Sequence, residues 1–407
     1  MRWYHAAAIT TGSVLGSGVL VLPALTAEVA GPASLLAWLL LAVLSFPLAL
    51  LFARLAAKIP HAGGVLAYIA AALGSPLSKS AGWMLLFMYP IGVPIVAVIG
   101  ADYAGSVVGL NHTEITLIAA LILTSSVLLH VRGIELASWI QVIITVLIAA
   151  MLVIAIVAAL PHVHWSNFRP FMPHGFASVG LAAVLTFWCF VGWEAAGSLT
   201  EEFVHPERDV PMGLAIAAIL VSVLYLALAF VTIGTKVYGG HLSLAPLSAL
   251  VGTGFGVVAT KMTAILALLI TFGTVHTNTA SFSRMVFAQA RDGHFPKRFA
   301  SLHPKYGTPI GALMLLLALC ALALLSYGLL HPSLAAFVKI VSVSDISIYC
   351  MCLTAALFVL TGTAVRSLAV LCLFVCAIVY CFSGWTALIP VGLLGAGWLF
   401  FRASRSR

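Results

Sequence analysis

The sequence predicts an all-α integral membrane protein with about twelve transmembrane helices. Two observations predict this class. Of the 407 residues, 63% are hydrophobic and 7% are charged, and the mean hydropathy is +1.17. In soluble domains, about a quarter of all residues are charged. The apolar residues also form long runs, each with roughly the 20 residues that cross a bilayer. We therefore expect nearly all of the chain to lie in the membrane.

The basic residues are distributed unevenly between the predicted loops, and this indicates topology rather than nucleic-acid binding, although the net charge is +8. With the N-terminus inside, the outer segments hold only Arg169, Lys236 and Lys261, and the other basic loop residues and the tail lie inside. Positive charge collects on the cytoplasmic side of membrane proteins. Both termini are thus expected in the cytoplasm, with the lipid bilayer and no nucleic acid as partners.

The predicted spans follow one another with short connections. The first six cover about residues 6–30, 33–57, 80–108, 114–130, 135–160 and 176–201, and the other six cover about 212–236, 256–290, 309–329, 334–360, 366–383 and 386–401. All seven cysteines lie in apolar runs, where a cysteine usually acts as a small hydrophobe. No disulfide framework, metal site or cofactor is expected.

The first span is interrupted by glycines at Gly12, Gly16 and Gly18, followed by Pro23. Each glycine costs a helix interior about 1 kcal/mol relative to alanine. In lipid, unwound backbone is tolerated only where protein covers it or where it lines a cavity. The stretch is therefore a packing seam or a binding site, and close packing of small residues is a reasonable explanation for Gly12 and Gly16.

The sixth span contains a second interruption at Phe187–Glu194, which places Gly192 and the carboxylate of Glu194 at mid-membrane depth. Five spans separate the two interruptions, so the broken segments cross the membrane in opposite directions. This predicts an inverted repeat of five spans, with residues 1–160 and 176–360 as the halves and residues 366–407 as two further spans and a basic tail. Such paired interruptions indicate a transporter site near the bilayer midplane.

A broken helix leaves free N–H groups at the start of its second half and free carbonyls at the end of its first half. The N–H end suits an anion. Ser17 and Gly18 are expected to present N–H groups to a carboxylate, and the carbonyls near Val14, Trp188 and Val191 to receive an ammonium. A zwitterionic amino acid satisfies both ends at once.

These residues resemble the amino acid, polyamine and organocation (APC) superfamily, and within it the bacterial exporters of methionine and branched-chain amino acids. The resemblance covers essentially the whole chain. The motifs that carry it are Gly16-Ser17-Gly18-Val19 with Pro23, Pro60 to Gly64 with Tyr68, Phe190 to Glu194 with Glu202, Pro206, Arg208 and Pro211, and Ser283-Arg284 with Arg291-Asp292-Gly293 and Pro296.

The resemblance implies a leucine-transporter-type fold that works by alternating access in a bacterial inner membrane. It implies that Ser17 and Gly18 hold the substrate carboxylate, that the carbonyls of Val14, Trp188 and Val191 hold the amine, and that Ser13 lies beside them. Gly16 belongs to the same substrate-binding set. Trp188 falls where relatives place an aromatic gate. Other residues are expected to line the side-chain pocket: Tyr89, Asn278, and Ser342 or Ser344.

The predicted coupling ion is the proton. Many relatives carry a lysine on span 5 in place of a sodium ion, whereas the nearest equivalent here is Ile148, so their coupling does not carry over. Glu194 is the first candidate for the proton-binding residue, because an ionisable group at membrane depth is usually functional. His276, Asp102 and Asp345 are further candidates.

The expected function is proton-coupled export of medium-sized neutral amino acids, namely methionine, leucine, isoleucine and valine. An importer or an obligate exchanger with the same fold is the alternative. An intramembrane enzyme is a more remote alternative, since the chain contains no His-Glu-x-x-His motif. A channel is disfavoured, because the spans show no ring-forming pattern of charges. The oligomeric state stays open.

Overall fold

The computed structural model describes residues 2–59, 64–133, 138–193, 205–291 and 295–405. In these ranges the chain forms fourteen α-helices and no β-strand. Their bounds are α1 Trp3–Val14, α2 Leu22–Ala30, α3 Ser34–Lys58, α4 Val65–Leu73, α5 Ser75–Val108, α6 His112–Val131, α7 Ser138–Ala159, α8 Phe176–Phe187, α9 Pro206–Gly234, α10 Pro246–Arg291, α11 Ile310–Leu330, α12 Leu334–Val359, α13 Thr363–Cys381 and α14 Leu388–Arg405.

Ten helical segments in the described ranges are long and apolar enough to cross a membrane. The segment Leu22–Lys58, which joins α2 to α3, counts as one of them. The helix Phe176–Phe190 is apolar but shorter. The chain is thus an all-helical, multi-pass membrane protein, while the exact number of twelve spans and the inverted repeat stay predictions.

Two groups of helices share the interior. In the first group, α9 packs against α1, α2 and α3, and α8 packs against α2 and α3. In the second group, α5 packs against α6, α10 and α11. Helix α7 contacts α1 and α9 of the first group and α10 of the second. The sequence analysis did not predict the short helix α4, nor the bend at Gly256 in α10, where φ is +75°. That bend needs glycine, because a positive φ is costly for other residues.

The two ends of the bundle are identified by their loops. One end carries Glu28, His112, Arg169 and His331, which line two neighbouring cavities that share Glu28. Charge distribution predicts this to be the outer end. At the opposite end the Thr308 hydroxyl donates to the carbonyl of Val131 at 3.0 Å. The helix interruptions lie between these two ends.

Candidate substrate site

The first interruption lies at Leu15 and Gly16, where the backbone leaves the α-helical conformation. Helix α1 ends at Val14, Gly16 is extended with φ −81° and ψ −174°, and Ser17–Leu20 forms one 3₁₀ turn before α2 begins. Because the first N–H groups of a helical turn have no acceptor within it, Ser17 and Gly18 have N–H groups directed away from the turn. No side chain caps this turn. The break that the glycines predicted is confirmed.

The second interruption follows α8. A 3₁₀ turn covers Trp188–Phe190, Val191 is extended, and Gly192 has φ +126°. The backbone therefore stops being helical at the position that the sequence predicts. Glu194, the first candidate for the proton-binding residue, lies outside the described residues.

The two interruptions contact each other, although more than 160 residues separate them in the sequence. A Cβ atom added at Gly18 would lie 3.1 Å from Cys189 Sγ and 3.3 Å from Trp188 Cε3. A Cβ atom at Gly192 would lie 2.7 Å from Ser13 Oγ and 3.0 Å from the Ser13 carbonyl carbon. The close approach therefore requires glycine at Gly192, and a side chain at Gly18 would force Cys189 and Trp188 to shift.

The junction of the two breaks is accessible to solvent. Ser13 is exposed, and Gly16, Trp188 and Val191 are half-buried, whereas Ser17 is buried. The structure thus brings Ser13, Val14, Gly16, Ser17, Gly18, Trp188 and Val191 together at one place. The exposed part of the junction is the Ser13 side, and Ser17 and Gly18, which are expected to offer their N–H groups, are buried beside it.

The surroundings of Gly12 and Gly16 differ, so the two positions favour glycine for different reasons. A side chain at Gly12 would collide with the hydroxyl of Thr145 on α7, so the packing explanation fits Gly12. At Gly16 a Cβ atom would have no neighbour closer than 4.0 Å. The packing explanation is wrong for Gly16, because this residue faces open space beside the break rather than a neighbouring helix.

Three fully buried tyrosines fix the backbone around the breaks, and the sequence analysis did not select them. Tyr225 Oη donates to the Val14 carbonyl at 2.7 Å, and Tyr349 Oη accepts the Gly192 N–H at 3.0 Å. Tyr103 Oη donates to the Leu20 carbonyl at 2.6 Å and accepts the Leu247 N–H at 3.2 Å. A signal was present, since a tyrosine in the middle of an apolar run needs a partner for its hydroxyl.

We expect Tyr225→Phe to destabilise the protein by about 1 to 3 kcal/mol, because the variant leaves the buried Val14 carbonyl without this donor. The measurement is the denaturation midpoint of the purified protein in detergent. Tyr4→Phe is the matched control, since Tyr4 is 49% exposed. If both variants unfold at the wild-type midpoint, the hydrogen bond does not stabilise the end of α1.

The residues predicted to line the side-chain pocket lie on α5, α10 and α12. Tyr89 is half-buried and packs against Phe282, with 5.8 Å between the ring centroids. Asn278 is half-buried on α10. Ser342 and Ser344 are buried, and the Ser344 hydroxyl donates to the carbonyl of Ile340 in its own helix. Their role in a pocket stays a prediction.

The other candidates for proton binding lie apart from the breaks along the sequence and on different helices. His276 on α10 stacks on His130 of α6 with 3.9 Å between the ring centroids, and its Nδ1 lies 3.5 Å from Ser126 Oγ. Asp102 on α5 is 4% exposed. Asp345 is half-buried on α12, and Ile148 is buried on α7.

Comparison with known proteins agrees with this architecture. A family model described as amino acid permease matches residues 1–402. The chain is 42% identical over 403 residues to the uncharacterized amino acid permease YecA of Bacillus subtilis, covering 99% of this chain and 95% of that protein. It is 33% identical over 392 residues to the L-methionine/branched-chain amino acid exporter YjeH of Escherichia coli, covering 95% and 92%.

A third relative is the branched-chain amino acid permease BcaP of Bacillus subtilis, which is 27% identical over 328 residues, covering 73% of this chain and 68% of that protein. The match of the family model over nearly the whole chain and the extent of these alignments agree with the broken helices and the apolar segments described above. This chain is therefore a member of the amino acid permease family in the APC superfamily, a transporter of amino acids rather than an enzyme.

Proposed function

We propose that this transporter exports medium-sized neutral amino acids, namely methionine, leucine, isoleucine and valine, from the cytoplasm of a bacterium in exchange for protons. The observation that carries the proposal is the contact between the two helix breaks. The substrate carboxylate binds the N–H groups of Ser17 and Gly18, with Gly16 leaving space beside them. The ammonium group binds the carbonyls of Trp188 and Val191. The Val14 carbonyl, which accepts the Tyr225 hydroxyl and the Gly16 N–H in this structure, joins them when the Gly16 N–H turns away. Ser13 lies next to both groups.

The chemistry of the junction favours a neutral substrate. The side chains that contact it in the described part of the chain are neutral, among them Ser13, Trp188 and Cys189, with Tyr225 and Tyr349 behind them. A cationic side chain would have no carboxylate among these residues to pair with. YjeH, a relative at 33% identity, is an exporter of L-methionine and branched-chain amino acids, which supports the same substrate class.

Alternating access is the proposed mechanism, with Trp188 as the gate. In it the half-buried indole of Trp188, packed next to Gly18, covers bound substrate on one side. In this proposal both termini lie in the cytoplasm, and the end that carries Glu28 and His331 faces outward. Proton exchange then drives export. Each proton that binds from outside and enters the cell brings the empty carrier back to its inward-facing conformation, where it binds another substrate.

The test uses purified protein in liposomes with radiolabelled methionine. We expect saturable uptake of methionine. Leucine, isoleucine or valine at saturating concentration should reduce this uptake at least about tenfold, whereas arginine and glutamate should leave it unchanged. Liposomes without protein are the control. If none of the four proposed substrates binds or moves, the substrate assignment is wrong.

Imposed pH gradients separate exporter, importer and exchanger in the same liposomes. A proton antiporter takes up methionine when the lumen is more acidic than the medium, and a proton symporter does so under the opposite gradient. An obligate exchanger needs amino acid in the lumen and ignores both gradients. Uptake driven by an acidic lumen and abolished by a protonophore is the expected result, and either of the other patterns would overturn the proposed coupling.

A further inference from the structure

Asp102 is a buried carboxyl group about two turns from the outer end of α5. It lies on α5, is 4% exposed, and its Oδ2 atom has no hydrogen-bond partner in the described part of the chain. Burying an ionised carboxylate without a partner is very costly, and a carboxyl that carries a proton avoids most of that cost. Ionisable groups in such places usually have a function rather than a structural role.

Asp102 lies on the face of α5 that packs against α11. Ile95, Val98 and Asp102 are spaced at i, i+3 and i+7, so they share one face of the helix. Ile95 and Val98 line a narrow cavity together with Tyr327 of α11. The Tyr327 hydroxyl also interacts electrostatically with Asp102. Asp102 follows Val98 by about one turn toward the outer end of α5, beside this cavity and on the same helical face.

Tyr327 belongs to a second, wider cavity as well. This cavity has a volume of about 390 Å³ and opens at the predicted outer end, where Glu28, His112 and His331 also line it. The ring of His112 lies 4.8 Å from the ring of Tyr327 and 4.2 Å from the ring of His331, measured between centroids. His331, His112 and Tyr327 thus form a series of ring contacts in the wall of the outer cavity.

Other titratable groups near this series have separate roles or lie farther away. Tyr103, next to Asp102, uses its hydroxyl at the first helix break. Glu28 of α2 accepts a hydrogen bond from Ser243 at 2.7 Å. Glu114 of α6 accepts the N–H of Asn111 at the start of its own helix.

The helices α10 and α12 also pack against α5. Thr271 of α10 lies opposite Gly100 of α5, and Gln289 lies opposite Gly82. The two helices therefore run antiparallel. Along the helix axis, His276 is about two turns away from Asp102. On α12, Val341 lies opposite Gly92, so Asp345 is still more distant along the bundle. Lys339 of α12 lies near Gly384, with 4.0 Å between its Nζ and a Cβ atom built there. In the described part of the chain, Tyr327 is a titratable group on a neighbouring helix that interacts electrostatically with Asp102.

We propose that Asp102 binds the transported proton and receives it from the outer cavity through His331, His112 and Tyr327. This inference rests on the proposed proton-driven export. A proton from the external water binds the Asp102 carboxylate while the outer cavity is open, and the same proton leaves for the opposite side after the carrier changes conformation. No covalent bond to carbon is made or broken. The substrate crosses in the opposite direction through the junction of the two breaks.

The variant that tests the inference is Asp102→Asn, which has nearly the same shape as the protonated carboxyl group and cannot release a proton. In liposomes with an acidic lumen, we expect accumulation of methionine to fall at least tenfold relative to wild type. Exchange of internal for external methionine needs no net proton movement, and it should stay within about twofold of wild type. Glu114→Gln is the matched control and should behave as wild type in both assays.

Two further variants keep the test decisive if Asp102→Asn does not fold. Tyr327→Phe and His112→Gln preserve most of the packing, and we expect both to slow gradient-driven accumulation severalfold while exchange stays unchanged. The inference is wrong if the gradient drives methionine accumulation by wild type and drives it equally well in every folded variant among Asp102→Asn, Tyr327→Phe and His112→Gln. If wild type moves no methionine at all, the proposed function itself fails, which is a different and distinguishable result.

Discussion

Gly18→Leu is expected to lower the affinity for methionine by about 100-fold or more, because overpacking of a close contact costs up to about 3 kcal/mol. The branched side chain would have to occupy the space of Cys189 Sγ and Trp188 Cε3, which lie 3.1 Å and 3.3 Å from the Cβ position. Those atoms belong to the second helix break, so the insertion separates the two groups of backbone atoms that hold the substrate. Binding is lost even where the protein still folds.

Binding of radiolabelled methionine to the purified protein in detergent measures this effect, and a denaturation curve reports folding in parallel. Gly392→Leu on α14 is the matched control, because a Cβ atom at Gly392 meets no neighbour within 4 Å. The control should bind methionine with wild-type affinity. Wild-type affinity in a folded Gly18→Leu variant would show that the carboxylate does not bind at this break.

Gly192→Ala is expected to abolish transport. Gly192 has φ +126°, which alanine rarely adopts. Its Cβ atom would also lie 3.0 Å from the carbonyl carbon of Ser13, and backbone atoms cannot rotate aside as a flexible side chain can. The N–H of Gly192, which donates to Tyr349 Oη at 3.0 Å, would be displaced together with the second break.

The measurement is the initial rate of methionine exchange in liposomes, normalised to the amount of folded carrier. We expect a rate at least about 100-fold below wild type, which corresponds to about 2.7 kcal/mol. Gly239→Ala is a suitable control, since Gly239 also has a positive φ of +97° but meets no atom within 4 Å of its Cβ position. If Gly192→Ala exchanges methionine as fast as this control, close contact between the breaks is not required for transport.

The helices and their interruptions were predictable because they depend on composition and local spacing. Long apolar runs fix where helices lie in lipid, since each backbone polar group there must bond within its own segment. Glycines at Gly16 and Gly18 marked the first break, and Gly192 marked the second. The short helix Val65–Leu73 and the bend at Gly256 were not predicted, because the first is too short to span a membrane and the second lies inside an apolar stretch.

The contacts between distant segments were not predictable in the same way. No local pattern distinguishes Gly12, which packs against Thr145, from Gly16, which faces open space. The hydroxyl partners of Tyr225 and Tyr349 are the backbone of segments more than 150 residues away. The narrow cavity between Val98 and Tyr327 likewise depends on how α5 and α11 pack.

The sequence by itself determined that this chain is a helical membrane protein with two interrupted spans and the motifs of an amino acid transporter, because burial in lipid and helix breaking are properties of neighbouring residues. The contact between the two interruptions, the tyrosines that hold their backbone and the burial of Asp102 became evident only from the packed helices. Those features depend on the packing of helices far apart in the chain, which hydrophobic spacing leaves undetermined.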